Sequence, residues 1–219
     1  MYKQPKNLTY YTSPMPLRIT EYKTSAHDIP WEKLARLMRE SFKERTEQGL
    51  LFACRDFSAE ELKNACGNDS FIFVRYDETD NPLGFITLTI NGKCGNTNYV
   101  AASPSAKHSG ICSSIFEHIL KKSKDLNLDH LVSSTSTKAT SSMKWHLKMG
   151  FEKYDYHSSP HTNYYSCIFR YPLKEKNKTH NIKRFLHFNF ARIFVRMTKT
   201  PNGTWRFPLL IKIWKKIKN

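Results

Sequence analysis

The segment AASPSAKHSGIC, residues 101–112, decides the fold prediction, because a glycine-containing turn here joins the end of a predicted strand to the start of a helix. Such a helix start leaves several backbone N–H groups without partners at the positive end of the helix dipole. These groups can hold a pyrophosphate, with Gly110 allowing close backbone approach and Lys107 adding positive charge. Taken alone, the segment is equally compatible with an ordinary loop before a helix.

A second informative segment, TSSMKWHLKMGF at residues 140–151, follows one predicted strand later. It predicts a short helix that ends at Gly150, a residue suited to the left-handed conformation at a helix C-terminus. The strand between the two segments is HLVSSTST, residues 130–137. The two segments together, separated by one strand, are a far more specific indication of a protein family than either segment alone.

The rest of residues 18–173 supplies the other elements of one domain. RITEY predicts a strand, and WEKLARLMRESFKER, with Asp28 as N-cap acid and Pro30 as an early helical proline, predicts a helix. Ser58 and Glu61 form a capping-box pattern for a second helix. Alternating apolar segments predict further strands, the first two as a hairpin. They are residues 71–77, 84–92, 94–102, 151–156 and 163–173.

This order of elements, together with the two segments, resembles the GNAT acyltransferases. The main family signature is Val-x-Pro-x-x-(Arg/Gln)-x-x-Gly-x-(Gly/Ala), and a second reads Asn-x-x-(Ala/Ser)-x-x-x-(Tyr/His)-x-x-x-Gly-Phe. The positions in register are Ala102, Ser103, Pro104, Lys107, Gly110 and Cys112 for the first, and Ala139, Ser142, His146, Gly150 and Phe151 for the second. Ala102, Lys107, Cys112 and Ala139 depart from the usual residues, while the spacing is kept.

The resemblance implies an α/β (α+β) GNAT fold over residues 18–173, with a mixed, mostly antiparallel sheet of about seven strands and about four helices. It implies an N-acyltransferase that uses acetyl-CoA or another acyl-CoA as cosubstrate and needs no metal. The residues expected at the coenzyme are Ala102, Ser103, Lys107, His108, Ser109, Gly110, Ile111, Cys112 and Ser113.

Two residues are expected at the reacting thioester by the same resemblance. The N–H of Ala102 should face the thioester oxygen. His146 stands where the family usually has a tyrosine that protonates the leaving thiolate. An imidazole can also act as a base, so the direction of proton transfer stays open. Cys112 is interpreted as a small residue rather than as a nucleophile.

The acceptor amine is expected between the first two helices and the last strand. Glu40, or Glu44 one turn later, is a candidate general base. Tyr164 and Tyr165, with aromatic residues of the loop 45–57, suit a sugar ring or an apolar chain, or else belong to the core. An amino sugar or a lipid-linked polysaccharide precursor is the expected acceptor. The alternatives are a protein or peptide N-acetyltransferase and a GNAT-fold binding module without activity.

Charge separates the domain from residues 174–219, which hold 13 Lys and Arg against one acid, or +12 of the net +16. Their apolar and aromatic residues fall at helical spacing, which is typical of a helix at an anionic membrane surface. Packing on the domain or a partner is the alternative, and nucleic acid is less expected. Residues 1–17, with three prolines, predict an extended arm.

The start of the chain lacks the apolar segment of a secretory signal. The number of cysteines, five, is odd, and no two of them have CxxC spacing, which argues against a disulfide framework and a zinc site. A cytoplasmic protein is therefore expected, with a possible peripheral location on the inner face of the membrane.

Overall fold

A computed structural model describes residues 18–158 and 162–174, together with residues 189, 190 and 193. The predicted N-terminal arm, and the predicted basic tail apart from those few positions, lie outside the described residues. Within the described residues, four α-helices and seven strands form in the predicted order. The strands are β1 (Ile19–Lys23), β2 (Ser70–Tyr76), β3 (Pro82–Asn91), β4 (Cys94–Ala102), β5 (His130–Ser136), β6 (Glu152–Ser158) and β7 (Tyr165–Pro172), and the helices are α1 (Trp31–Glu47), α2 (Ala59–Cys66), α3 (Ile111–Asp125) and α4 (Thr140–Lys148).

All seven strands lie in one sheet with the order β1-β2-β3-β4-β5-β7-β6. Only β4 and β5 pair in parallel, and every other neighbouring pair is antiparallel. This confirms the predicted mixed, mostly antiparallel sheet. Among the helices that the structure describes, none is both long and apolar enough to cross a lipid bilayer.

The sheet is covered on both faces, which explains why β2 and β3 have apolar side chains on both of their faces. Successive side chains of β2 point to opposite faces, so Ile72 and Val74 pack with α1 and α2 while Phe73 packs with α3. In β3, Phe85 likewise packs with α1 and α2, and Ile86 packs with α3. Two apolar cores, one on each face of the sheet, therefore hold the helices against it.

The helix starts match the sequence in one case and differ in another. The capping box of α2 forms as predicted, since Glu61 N–H donates to Ser58 Oγ at 3.2 Å and Ser58 N–H donates to Glu61 Oε2 at 2.8 Å. The prediction of Asp28 as the cap of α1 is wrong. Pro30 occupies the N-cap position of α1, and no side chain caps the helix there. Asp28 lies two residues too early, and Glu32 is the acid of the first turn.

Gly84 fixes where α3 begins relative to the sheet. A Cβ at this position would lie 2.6 Å from Ile111 Cγ2 and 3.1 Å from the Ala101 carbonyl oxygen. Only a glycine allows the first residue of α3 to pack this closely on β3. The loop that joins β4 to α3 is held in place as a result.

Candidate active site

A gap opens in the middle of the sheet between β4 and β5. The two strands pair only from Cys94 with His130 to Thr97 with Ser133. Beyond that point β4 stays paired with β3 up to Ala102, and β5 stays paired with β7 up to Ser136. The strands therefore diverge towards their carboxyl ends, where α3 begins after β4 and α4 begins after β5.

A β-bulge in β4 turns backbone groups into this gap. The register with β3 shifts between Phe85 and Thr87, and Tyr99 has a positive φ of 43°. After the bulge, Ser103 N–H donates to the Leu83 carbonyl of β3 at 2.8 Å. Because successive N–H groups of a strand point to opposite edges, the N–H of Ala102 points towards the gap. There it donates a long hydrogen bond of 3.3 Å to Ser41 Oγ of α1.

The connection between β4 and α3, residues 103–113, is called the cofactor loop from here on. A 3-10 turn at Pro104–Ala106 begins it, and His108 and Gly110 adopt positive φ values of 65° and 81°. Among the described residues, no acceptor is found for five of the six backbone N–H groups from His108 to Ser113. These are the N–H groups of residues 108, 110, 111, 112 and 113.

The open N–H groups of the cofactor loop fit a pyrophosphate. They lie at the N-terminus of α3, where the helix dipole favours negative charge. A Cβ built on Gly110 meets no atom within 4 Å, so the space in front of the loop is open. The residues expected at the coenzyme are thus gathered along one surface beside the gap.

Lys107 of the cofactor loop forms an ion pair with Glu44 of α1. The hydrogen bond and the charge of Lys107 lower the pKa of the Glu44 carboxyl, which is fully a carboxylate at neutral pH. Both side chains are exposed, at 47% and 61%, so the pair adds little to stability. Lys107 can exchange this partner for a phosphate at small cost.

His146 lies at the closed end of the gap. Its side chain is 2% exposed and its ring stacks on Phe169, with centroids 4.5 Å apart. Nδ1 donates to the Ser142 carbonyl at 2.7 Å, which requires the proton on Nδ1. Nε2 of the neutral ring can then accept from Ser133 Oγ at 2.8 Å, although the single proton of this hydroxyl has the Thr97 carbonyl, at 3.2 Å, as a second acceptor. Ser133 is the last residue of β5 that pairs with β4, so this hydrogen bond marks the point where the strands part.

The imidazole is neutral at physiological pH. Burial lowers the pKa of His146 to about 4, although the hydrogen bond to Ser142 acts in the opposite direction. An imidazolium is therefore not available as a proton donor at neutral pH. The predicted role of His146 at the thiolate stays a prediction, and any such role has to pass through Ser133.

The sides expected to hold the acceptor come together as one aromatic wall. Phe52 of the loop 45–57 packs against Tyr164, just before β7, with ring centroids 5.0 Å apart, and against Phe42 of α1 at 4.9 Å. Asn163 links the same segments, because Leu51 N–H donates to its Oδ1 at 3.0 Å and its Nδ2 donates to the Gly49 carbonyl at 2.7 Å. Phe52 is buried and Tyr164 is partly exposed.

The remaining candidates are placed as follows. Tyr165 is the first residue of β7, directly after Tyr164, so the two side chains leave the chain on opposite sides. Glu40 is exposed on α1, one turn before Glu44.

Burial raises the pKa of the Cys112 thiol to about 11, so this cysteine is not a thiolate at neutral pH. Among the described residues, no cluster of three or more His, Cys, Asp or Glu side chains could hold a metal ion.

Four residues of the site were not found from the sequence: Ser41, Arg45, Ser133 and Asn163. The first two share one stripe of α1, and their spacing of four residues was the only available signal. Ser133 and Asn163 have no local pattern, because their partners are distant in the sequence.

Comparison with known proteins agrees with this geometry. Residues 31–151 match the family model described as Acetyltransferase (GNAT) family. The solved structures that resemble the chain include the PaiA N-acetyltransferase of Thermoplasma acidophilum in complex with coenzyme A, at 20% identity and a TM-score of 0.57, over 71% of this chain and 99% of that one.

Two further solved structures show the same fold. A putative GNAT acetyltransferase of Desulfovibrio desulfuricans is 15% identical with a TM-score of 0.54, over 73% of this chain and all of its own. An aminoglycoside 6′-N-acetyltransferase complexed with coenzyme A is 14% identical with a TM-score of 0.57, over 74% of this chain and all of its own. No curated protein matches the sequence.

We predict that Gly110→Glu abolishes binding of acetyl-CoA while the protein stays folded, because a carboxylate would stand before the open N–H groups. Isothermal titration calorimetry measures the affinity. Gly92→Glu is the matched control, since Gly92 also has a positive φ and open space but lies in the turn between β3 and β4. Equal affinities of the two folded variants would contradict the site.

We also predict that His146 makes stability depend on pH. The folded pKa of about 4 lies below the ordinary value, so the unfolded chain binds more protons between pH 6.5 and 4. The free energy of unfolding should therefore be fully maintained above pH 6.5 and fall as the pH is lowered, by about 3 kcal/mol in total.

The measurement is urea unfolding from pH 7.5 to pH 4 of the wild type and His146→Gln. The variant should lose less stability over this range, whatever its stability at pH 7.5. His118→Gln, at an exposed position of α3, should keep the slope of the wild type. If His146→Gln and the wild type had the same slope, the buried neutral imidazole would not be the cause.

Proposed function

Because the chain belongs to the GNAT acetyltransferase family, we propose that it transfers the acetyl group of acetyl-CoA to a primary amine. The observation that carries this proposal is the gap between β4 and β5, with the open N–H groups of the cofactor loop beside it and the N–H of Ala102 directed into it. Acetyl-CoA supplies the thioester carbonyl that the amine attacks. The chain has to hold this thioester, stabilise charge on its oxygen and admit the amine.

The cofactor loop would hold the phosphates of the coenzyme through its N–H groups and Lys107. Each N–H without an acceptor in the protein exchanges water for a phosphate oxygen on binding, so no hydrogen bond within the loop is lost. Lys107 moves from the exposed Glu44 to a phosphate. The small side chain of Cys112, neutral and mostly buried, leaves room for the rest of the coenzyme.

The N–H of Ala102 would stabilise the negative charge that develops on the thioester oxygen. Its present acceptor, Ser41 Oγ, lies at 3.3 Å, which is long for a hydrogen bond. Exchange of this bond for one to an anionic oxygen is favourable, because hydrogen bonds to charged acceptors are the stronger ones. Ser41 Oγ then remains beside the same oxygen as a second possible donor.

His146 would act through Ser133 rather than by direct contact with the sulfur. The proton on Nδ1 is held by the Ser142 carbonyl, which fixes the tautomer and leaves Nε2 as an acceptor for the Ser133 hydroxyl. The Ser133 hydroxyl is thereby held between Nε2 and the Thr97 carbonyl at the closed end of the gap. We assign His146 as the positioning residue for Ser133, and the proton that the leaving thiolate takes up is the one that the attacking amine loses as the amide forms.

The acceptor would bind against Tyr164, which is partly exposed, while Phe52 is buried behind it and supports its ring. Aromatic side chains at a partly open surface suit the flat faces of a sugar ring, so an amino sugar or a lipid-linked polysaccharide precursor is the proposed class. Glu40, exposed on α1, is the proposed acceptor-side carboxylate. Tyr165 leaves β7 on the side opposite to Tyr164, so of the two tyrosines Tyr164 is the one proposed to contact the acceptor.

The predicted outcome for purified protein is release of coenzyme A from acetyl-CoA on addition of a suitable amine. A library of amines, amino sugars included, with a thiol-release readout tests this, and mass spectrometry identifies the acetylated amine. Gly110→Glu serves as the blank for contaminating activity. Tight acetyl-CoA binding without acetylation of any amine would instead support a binding module.

We further propose that residues 174–219 bring the enzyme to anionic membranes, because +12 of the net charge lies in this segment. Full-length protein should bind vesicles containing phosphatidylserine, and salt should weaken this binding. Substitution of Lys212, Lys215, Lys216 and Lys218 by Gln should reduce it roughly 100-fold or more, at about 1 kcal/mol for each cation near the surface.

The control replaces four exposed lysines of the domain, Lys43, Lys63, Lys124 and Lys148, by Gln and so makes the same change in net charge. A flotation assay of both variants separates local from overall charge. Equal losses in the two variants would contradict a dedicated membrane-binding segment.

A further inference from the structure

Arg45 occupies a special position in the last turn of α1. It lies four residues after Ser41, so the two side chains are neighbours on one face of the helix, with Cβ atoms about 6 Å apart. Ser41 accepts the hydrogen bond of the Ala102 N–H at the gap. Arg45 therefore lies one helical turn from the backbone group proposed to hold the thioester oxygen.

The guanidinium of Arg45 has no polar partner among the described residues. Its central carbon lies 5.6 Å from the centroid of the Phe42 ring, and no hydrogen bond or ion pair from it to a described residue is found. The adjacent acid, Glu44, is paired with Lys107 instead. Two other arginines nearby do have partners, since Arg39 donates to the Phe57 carbonyl at 2.6 Å and Arg55 to the Phe52 carbonyl at 3.0 Å.

Apart from Glu44, whose carboxylate is already paired with Lys107, the side chains that interact electrostatically with Arg45 are neutral. They are Cys54, Cys112 and Tyr164, and burial raises their pKa values to about 11, about 11 and about 12. Burial also lowers the pKa of Arg45 itself, while Glu44 acts in the opposite direction. Arg45 is thus a partly buried cation with five N–H donors, and the only acid near it among the described residues is engaged by Lys107.

We propose that Arg45 binds an anionic group, a carboxylate or a phosphate, that the acceptor amine carries. A guanidinium that has lost part of its hydration gains most from a planar or tetrahedral oxyanion, which it can bind with two parallel hydrogen bonds. The inference rests on the proposed acetyl transfer and defines its acceptor as an amine with a negative charge nearby. A sugar linked to a phosphate belongs to this class.

The coenzyme phosphates are the other possible source of an anion. The cofactor loop already offers them five open N–H groups and Lys107. Arg45 lies near Cys112 of this loop but also beside Phe42 and Tyr164, on the side assigned to the acceptor. Because the loop already has its own donors for the coenzyme phosphates, we assign Arg45 to the acceptor.

The experiment uses pairs of amines that differ only in the anion: β-alanine with β-alaninamide, and O-phosphoethanolamine with ethanolamine. The measured quantity is the ratio of kcat/KM for the charged over the neutral member of each pair. The wild type should favour the charged member, and Arg45→Gln should lower the ratio roughly 10- to 100-fold. Arg45→Lys should restore part of it, because lysine keeps the charge but not the fork of donors.

Arg36→Gln is the matched control. Arg36 is exposed on α1 and nine residues before Arg45, hence on the opposite side of the helix, and the substitution removes the same charge. It should leave the ratio unchanged. An equal fall in the ratio for Arg36→Gln would mean that the net charge of the protein, rather than Arg45, selects the acceptor.

A second measurement does not depend on catalysis. With coenzyme A at saturation, inorganic phosphate should raise the melting temperature of the wild type more than sodium chloride of equal ionic strength does, and Arg45→Gln should lose this difference. Loss of acetyl-CoA affinity in Arg45→Gln, with an unchanged acceptor ratio, would assign Arg45 to the coenzyme and overturn the inference. If no amine is acetylated, the proposed function fails, and the phosphate measurement still decides whether Arg45 binds an anion.

Discussion

The structure of the site depends on where the pairing of β4 with β5 stops. Parallel strands normally pair along their length, because unpaired N–H and C=O groups in the middle of a sheet are costly. Here each strand keeps its outer neighbour, β3 or β7, after Thr97 and Ser133 have parted. The sheet stays intact around the gap, and the two apolar cores stay closed, while the inner edges of β4 and β5 are free for a ligand.

The gap is surrounded mainly by hydrogen-bond donors. The N–H groups at the start of α3, the N–H of Ala102 and the side chains of Lys107 and Arg45 all offer protons or positive charge. A site of this kind favours anionic oxygens. It suits the phosphates of a coenzyme at one end and charge that develops on a carbonyl oxygen in the middle. The same argument, applied to the far end of α1, leads to an acceptor with its own negative charge.

The parts of the site that depend on local backbone were predictable from the sequence. The spacing of Ala102, Pro104, Lys107 and Gly110 fixed a strand end, a turn and a helix start, and the structure has all three. The N-cap of α1 was predicted wrongly, since Asp28 was two residues too early and Pro30 took its place. His146 was located correctly on α4, but its burial against Phe169 and its bond to Ser133 depend on strands far away in the chain.

The sequence predicted a carboxylate of α1 at the acceptor, but it could not predict the contacts that α1 makes with the site, because these join residues some sixty positions apart. Ser41 reaches Ala102, and Glu44 reaches Lys107, so two successive turns of one helix contact both the strand end and the cofactor loop. Both contacts are weak, one being long and the other exposed to solvent, so a ligand can replace each of them at small cost. They keep the N–H of Ala102 and the ammonium of Lys107 near their working positions in the free protein. Arg45 lies in the same turn of α1 as Glu44, but its guanidinium has no hydrogen bond or ion pair to a described residue. Because Lys107 has a protein partner in the free state and Arg45 has none, we infer that the partner of Arg45 is an anionic group of the ligand.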